Sequence, residues 1–133
     1  MKTILCNGVF DILHRGHVEH LKEARCMGAR LIVALTTDPF VNKGPGRPMN
    51  EWLDRAYVLE ALDCVDSVLP FNNAIEAIRS IRPTYFVKGI DYADGKRWTE
   101  DVVKACEEVG VMLRFTTAPK RSATDIIKRT MAL

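Results

Sequence analysis

The sequence lacks the features that would point to a membrane, a nucleic acid or a secretory route. It has no apolar run of about 18 residues, so we expect no membrane-spanning helix, and its N-terminus has no signal-peptide core. Its net charge is only +2, without a basic stripe interleaved with aromatic residues, so we expect no nucleic-acid partner. Without an internal repeat, a low-complexity tract or a long linker, residues 1–133 are expected to form one domain.

Cysteine is scarce and never occurs in a CxxC pair. The four cysteines, Cys6, Cys26, Cys64 and Cys106, are far apart in the chain, which argues against a metal or redox motif. Cys6, Cys26 and Cys106 fall at or beside apolar-face positions and are predicted to be small buried hydrophobes. Free cysteines of this kind fit a reducing compartment, so we expect a cytoplasmic protein.

Strand and helix signals alternate along the whole chain. Short apolar runs predict five strands, at residues 3–6, 31–35, 67–71, 85–88 and 111–115. Helical spacing of apolar residues predicts a helix after each strand, with the start or stop signals Gly28, Asn50 (a cap), Pro83, Thr99 (a cap) and Ser122 (a capping box with Asp125). This alternation predicts a mostly parallel five-stranded sheet covered on both faces, a Rossmann-like three-layer α/β sandwich.

Polar clusters follow four of the predicted strands. They lie at residues 8–17, 38–47, 88–94 and 120–124. Because ligands of parallel sheets bind beyond the carboxyl ends of the strands, these clusters are expected to meet at one edge of the sheet. The sequence therefore predicts a small-molecule site there.

The first cluster contains two histidines around a glycine at the start of a helix. It is not GxGxxG, so a dinucleotide fingerprint is absent. Gly16 leaves room for a phosphate to approach the backbone, and the helix N-terminus offers N–H groups and a positive dipole. His14 and His17 can turn their ring nitrogens toward such an anion. Two other interpretations stay open here: histidines that only cap or pack, and a zinc site made by His14, His17 and His20.

Four segments carry a resemblance to a known family. Residues 8–17, with their HxGH motif, resemble the signature of the cytidylyltransferase-like nucleotidyltransferase superfamily. Residues 43–50 with Arg55, residues 87–92 and residues 122–128 are similar to the lysine loop, the VKG-x-DY segment and the final helix of its heptose-phosphate adenylyltransferase branch. The order of the four segments matches as well, so the resemblance covers nearly the whole chain.

The resemblance implies a role for each matching residue. His14, His17 and Lys43 would contact the phosphates and stabilise the transition state, and Asp11 would order the turn or a bound magnesium ion. The candidates for the acceptor site are Asp38, Arg47 and Arg55. The residues expected around the nucleotide are Gly8, Val9, Phe10, Asp11, Gly16, Lys88, Asp91, Arg121, Ser122 and Thr124.

Simpler roles compete at several of these positions. Asp11 could form an Asx-type turn, and Ser122 could be a helix cap and nothing more. Lys43 and, more readily, Arg47 could be solvated loop charges. Arg55 could be part of an ion pair on the helix surface, and Lys88 a strand-end solubility residue. The 119–124 segment also departs from the RTxGIST element of glycerol-phosphate and choline-phosphate cytidylyltransferases, because it lacks the glycine and has Ala123 in place of a hydroxyl residue.

The reaction implied by the resemblance is nucleotidyl transfer with release of pyrophosphate. The first choice is adenylyl transfer from ATP to a heptose 1-phosphate or a similar sugar phosphate, with Mg²⁺ or another divalent cation bound to the nucleotide. A cytidylyltransferase that acts on glycerol 3-phosphate or a related polyol phosphate is the second choice. A non-catalytic nucleotide-binding module is the third. The resemblance also implies a homodimer.

Overall fold

Within the residues that the computed structural model describes, 1–93 and 100–119, five strands alternate with four helices. The strands are β1 (Thr3–Gly8), β2 (Arg30–Thr36), β3 (Ser67–Phe71), β4 (Tyr85–Lys88) and β5 (Met112–Phe115). The helices are α1 (Arg15–Arg25), α2 (Trp52–Glu60), α3 (Ala74–Ile81) and α4 (Glu100–Val109). Short 3₁₀ turns follow β2 at Asp38–Phe40 and β4 at Ile90–Tyr92.

The five strands form one parallel sheet in the order β3-β2-β1-β4-β5. The central strand β1 pairs with β2 on one side and with β4 on the other. The chain therefore winds outward in opposite directions from β1, and the crevice between the carboxyl ends of β1 and β4 is the topological switch point. The predicted Rossmann-like α/β fold is confirmed.

Two hydrophobic layers cover the sheet because successive β1 side chains point to opposite faces. Ile4 and Cys6 pack in one layer with Leu21 of α1, whereas Leu5 packs in the other with Ile78 of α3. Burial raises the pKa of the Cys6 thiol to about 12, which leaves it an inert core residue. None of the described helices is both long and apolar enough to cross a bilayer.

Two local predictions are wrong. Cys26 is exposed, because the helix ends at Arg25 and Cys26 turns away from the apolar face as the C-cap. Asn50 does not cap α2, whose N-cap is Glu51 without a side-chain hydrogen bond. Cys6 and Cys106 are buried as predicted. The expected Thr99 cap and the final helix from Ser122 lie outside the described residues.

Candidate active site

A cavity of about 590 Å³ opens at the carboxyl ends of the strands, where the polar clusters were expected to meet. It receives residues from the turn after β1, the start of α1, the loop after β2 and the end of β4. The predicted site residues that line it are Gly8, Val9, Phe10, Asp11, His14, Gly16, His17, Lys43, Arg47, Lys88 and Asp91. Asp38 and Arg55 do not line it, and Arg121, Ser122 and Thr124 lie outside the described residues.

The two histidines of the motif hold each other at the N-terminus of α1. His14 is the N-cap residue, and its Nδ1 accepts a hydrogen bond from the Gly16 N–H at 3.1 Å. The Nδ1 of His17 accepts one from the His14 N–H at 3.3 Å. Their rings stack with centroids 3.8 Å apart. Because Nδ1 is the acceptor in both rings, each neutral imidazole carries its hydrogen on Nε2, which makes Nε2 the donor toward a bound anion.

His17 is neutral in the ligand-free protein. Burial, followed by the electrostatic effects of the neighbouring His14 and Lys43, lowers the pKa of His17 to about 4. At neutral pH this ring therefore acts as a directional N–H donor, and a polyanion bound beside it would favour its protonation. Capping and anion binding are compatible, because capping uses Nδ1 and leaves Nε2–H to donate.

A strained turn after β1 supports this pair. Phe10 has a left-handed backbone with φ of 46°, a conformation that costs a non-glycine residue about 1 kcal/mol. Its ring meets the His17 ring edge-on, with centroids 5.0 Å apart. A Cβ on Gly8 would lie 2.8 Å from the Phe10 ring, so only glycine fits there without displacing that ring.

Asp11 anchors the loop after β2. Its side chain is buried, and its carboxylate accepts from Arg47 Nε at 2.6 Å and from the N–H groups of Met49 and Asn50 at 2.8 and 2.9 Å. Burial alone would raise the pKa of Asp11, but these amides and the guanidinium hold it below its usual range. Asp11 is therefore ionised and orders the loop that carries Lys43 and Arg47 into the cavity.

The Lys43 segment itself has a backbone suited to glycine. Gly44 and Gly46 have φ of 93° and 76°, and a Cβ at either position would be strained although it would meet open space. Lys43 is exposed and lines the cavity just before these glycines. Its charge is close enough to His17 to lower the pKa of that histidine, and Asp11 fixes the far end of the loop.

The expectation that Arg55 contacts an acceptor is wrong, because its side chain has no exposed surface. Its guanidinium donates to the carbonyls of Asn50, Val9 and Thr36 at 3.0, 2.8 and 2.9 Å. It also pairs with Asp38 at 2.5 Å, so Asp38 is turned to Arg55 rather than into the cavity. Arg55 ties together three segments that frame the site, which makes it a positioning residue.

The other end of the cavity is built around Lys88 and His20. The Lys88 ammonium lies 4.7 Å from the centre of the Tyr92 ring, and burial lowers its pKa. His20 Nδ1 and the Thr116 hydroxyl are 2.6 Å apart. Within residues 1–93 and 100–119, no group of three or more His, Cys, Asp or Glu side chains is arranged to hold a metal ion. The third histidine, His20, lines the cavity.

Acid should destabilise the fold through His17 and His20, which are partly buried. Burial, followed by the charge of Lys88, lowers the pKa of His20 to about 4, and His17 behaves alike. The unfolded chain binds a proton on each below about pH 6.5, whereas the folded protein does so only near pH 4. We therefore expect the free energy of unfolding to fall as pH drops from 6.5 to 4.

Urea unfolding across this range, with His20→Leu as the comparison, measures the His20 share of that loss. Other titrating groups are common to both proteins, so the wild type should lose more stability than the variant. If the wild type and His20→Leu lose the same free energy of unfolding, a neutral, partly buried His20 is contradicted.

Nine residues of the cavity wall were not predicted as site residues: Asn7, Ile12, His20 (weighed only for zinc), Thr36, Gly89, Tyr92, Thr116, Ala118 and Pro119. For Asn7 a signal existed, because a polar residue ends an otherwise apolar strand directly before the glycine turn. Thr116 contacts His20, which is 96 residues earlier in the sequence, and no local sequence pattern indicates that contact.

Comparisons with known proteins identify the family of the chain. The model of the cytidylyltransferase-like family matches residues 5–129. The bifunctional protein HldE of Methylobacillus flagellatus is 41% identical over 136 residues, which cover 96% of this chain and 27% of that protein. The D-beta-D-heptose 1-phosphate adenylyltransferase of Bordetella bronchiseptica is 50% identical over 94 residues, 67% of this chain and 58% of that one. The chain thus spans about a quarter of the length of the bifunctional relatives.

Solved structures share the fold. The lipopolysaccharide core biosynthesis protein from Thermoplasma volcanium superposes with a TM-score of 0.73 at 22% identity, covering 92% of this chain and 99% of that one. The pantoate-beta-alanine ligase from Francisella tularensis gives a TM-score of 0.61 at 14% identity, covering 98% and 69%. At such low identity these likenesses concern the fold alone.

Proposed function

The chain belongs to the cytidylyltransferase-like family, and on that premise we propose that it transfers an adenylyl group from ATP to a sugar 1-phosphate of the heptose type. The observation that carries the proposal is the stacked pair His14 and His17 at the N-terminus of α1, facing a cavity that Lys43 also enters. The heptose-phosphate acceptor and ATP are taken from the names of the relatives, which this chain matches over part of their length.

The proposed step is an in-line displacement at the α-phosphorus of ATP. An oxygen of the sugar phosphate forms the new P–O bond, and the bond to the oxygen that bridges the α- and β-phosphorus breaks, releasing pyrophosphate. A phosphate monoester is largely dianionic at neutral pH, with a second pKa of about 6, so no general base is required. Catalysis then depends on positioning and on stabilising negative charge.

Different residues of the cavity are proposed to position the substrates and to stabilise the negative charge. The Nε2–H groups of His14 and His17 donate to phosphoryl oxygens at the N-terminus of α1, where the helix dipole is positive. Lys43 brings a positive charge from the loop that Asp11 anchors. Lys88 and Asp91 border the nucleotide at the other end.

Magnesium is proposed to arrive with the nucleotide, where it would neutralise phosphate charge. Asp11 does not fit as its ligand, because both carboxylate oxygens already accept hydrogen bonds from Arg47, Met49 and Asn50. We assign no protein ligand to the ion. A homodimer, implied by the family resemblance, and a cytoplasmic location, expected from the free cysteines, stay predictions.

Pyrophosphate release, measured with ATP and CTP against a panel of sugar and polyol phosphates, tests the proposal. We expect the highest kcat/KM for ATP with a heptose 1-phosphate. A preference for CTP with glycerol 3-phosphate would show that the proposed substrates are wrong but that the chain does catalyse nucleotidyl transfer. Nucleotide binding without turnover on any acceptor would instead indicate a non-catalytic binding module.

A further inference from the structure

Asn7 carries an unpaired polar atom in the wall of the cavity. Its Oδ1 is buried and has no hydrogen-bond partner within the described residues, although the side chain lines the cavity. Buried polar atoms in folded proteins are almost always hydrogen-bonded, so an exception at a cavity wall points to a partner that binds there.

Asn7 lies near the carboxyl end of β1, close to the turn that leads to α1. It is the next-to-last residue of β1, directly before Gly8, and its side chain lies on the same face of the sheet as Leu5. Leu5 is paired with Phe86 of β4, and continuing that register by two residues sets Asn7 next to Lys88. Asn7, Gly8 and Lys88 all line the cavity.

A hydroxyl is the ligand group that suits this carboxamide best. Exchanging the oxygen and nitrogen of the side-chain amide would leave an unpaired N–H donor in the same place. A hydroxyl both donates and accepts, so it satisfies the site in either orientation. An ammonium only donates and a phosphate oxygen only accepts, so each of them fits only one orientation of the carboxamide.

In the proposed reaction the groups bonded to the reacting phosphates are sugars. The ribose of ATP is attached to the α-phosphate, and the acceptor sugar is attached to the attacking phosphate. The base lies farther from the phosphates than either sugar. We propose that Asn7 is a specificity-determining residue whose carboxamide hydrogen-bonds a sugar hydroxyl of one of these substrates, an inference that depends on the proposed function.

The substitution Asn7→Leu separates this role from a structural one. Leucine has a similar volume and removes the unpaired polar group, so the Tm should stay unchanged or rise. Because the ligand contact is lost, kcat/KM should fall by roughly 10- to 100-fold. Asn72→Leu is the matched control: Asn72 Oδ1 accepts from the Thr37 hydroxyl at 2.7 Å, so this variant should lose stability and keep its kcat/KM.

Deoxy substrates identify which sugar Asn7 contacts. The wild type and Asn7→Leu are compared with ATP, 2′-deoxy-ATP and 3′-deoxy-ATP, and with heptose 1-phosphate and its monodeoxy analogues. When the contacted hydroxyl is removed from the substrate, kcat/KM of the wild type should fall by about 10-fold or more. The kcat/KM of Asn7→Leu should hardly change, because the variant has already lost that contact. A loss confined to the ATP analogues assigns the ribose, and one confined to the acceptor analogues assigns the acceptor sugar.

Two results would overturn the inference while leaving the proposed function intact. One is an Asn7→Leu variant with lower Tm and unchanged kcat/KM. The other is a set of deoxy effects that is the same in both proteins at every hydroxyl. A wild type that neither binds ATP in calorimetry nor releases pyrophosphate with any acceptor would overturn the proposed function, and this inference with it.

Discussion

Replacing His17 by alanine is expected to lower kcat by about 10²- to 10³-fold, the usual cost of losing one preorganised donor to a developing negative charge. The ring lines the cavity, stacks on His14 and presents Nε2–H as its donor. KM for ATP should rise much less, because the lost contact strengthens as charge builds on the transferred phosphate. Steady-state kinetics at saturating acceptor measure both constants.

A cap control is needed because His17 also accepts the His14 N–H. Losing that bond should cost about 1 kcal/mol of stability, without unfolding the protein. Asn73→Ala removes a similar bond from α3, where Asn73 Oδ1 accepts from the Glu76 N–H at 2.9 Å. It should show a comparable stability loss with unchanged kcat. A His17→Ala enzyme as fast as Asn73→Ala would remove His17 from the mechanism.

Replacing Arg55 by methionine is expected to lower the free energy of unfolding by about 3–5 kcal/mol. The buried guanidinium supplies hydrogen bonds to three backbone carbonyls and to Asp38, and methionine offers none of them. Each acceptor left without water or a partner adds to the cost. For a chain of this size the loss corresponds to a Tm lower by roughly 10–20 °C, measurable by thermal unfolding.

An exposed ion pair provides the matched control for Arg55. Arg79 lies 2.9 Å from Glu108, and both side chains are about half exposed, so Arg79→Met should cost less than about 1 kcal/mol. Arg55→Lys keeps the charge but loses the planar fork, and its stability should fall between the wild type and Arg55→Met. An Arg55→Met protein no less stable than Arg79→Met would contradict the positioning role. If Arg55→Lys is folded but less active, Arg55 affects activity by positioning the three segments that frame the cavity.

The fold was predictable because it depends on local patterns. Apolar runs and helical spacing gave the five strands and the order of the helices, and β3 and β4 begin and end at the predicted residues. The HxGH motif could be placed at a helix start because glycine and histidine at that boundary have a local meaning. The convergence of the polar clusters then followed from parallel topology alone.

The contacts that stabilise the site were not predictable in the same way. Arg55 was expected to contact the acceptor or, as the alternative, to form an ion pair on the surface of α2, since a charged residue on an amphipathic helix is usually exposed. Its partners Val9 and Thr36 lie 46 and 19 positions away. Asp11 likewise meets the loop 36 to 39 positions later. No periodicity encodes such pairings, so only the three-dimensional structure separates these positioning residues from those that face the ligand.

The most direct test of the account follows the α-phosphate of ATP. The enzyme is incubated with heptose 1-phosphate and ATP labelled with ³²P at either the α- or the γ-position, and the sugar product is separated from pyrophosphate. If the chain transfers an adenylyl group, the α-label enters the sugar product and the γ-label leaves in pyrophosphate. A sugar product that carries the γ-label, or no labelled sugar product with any phosphorylated acceptor, would contradict nucleotidyl transfer at the His14–His17 site.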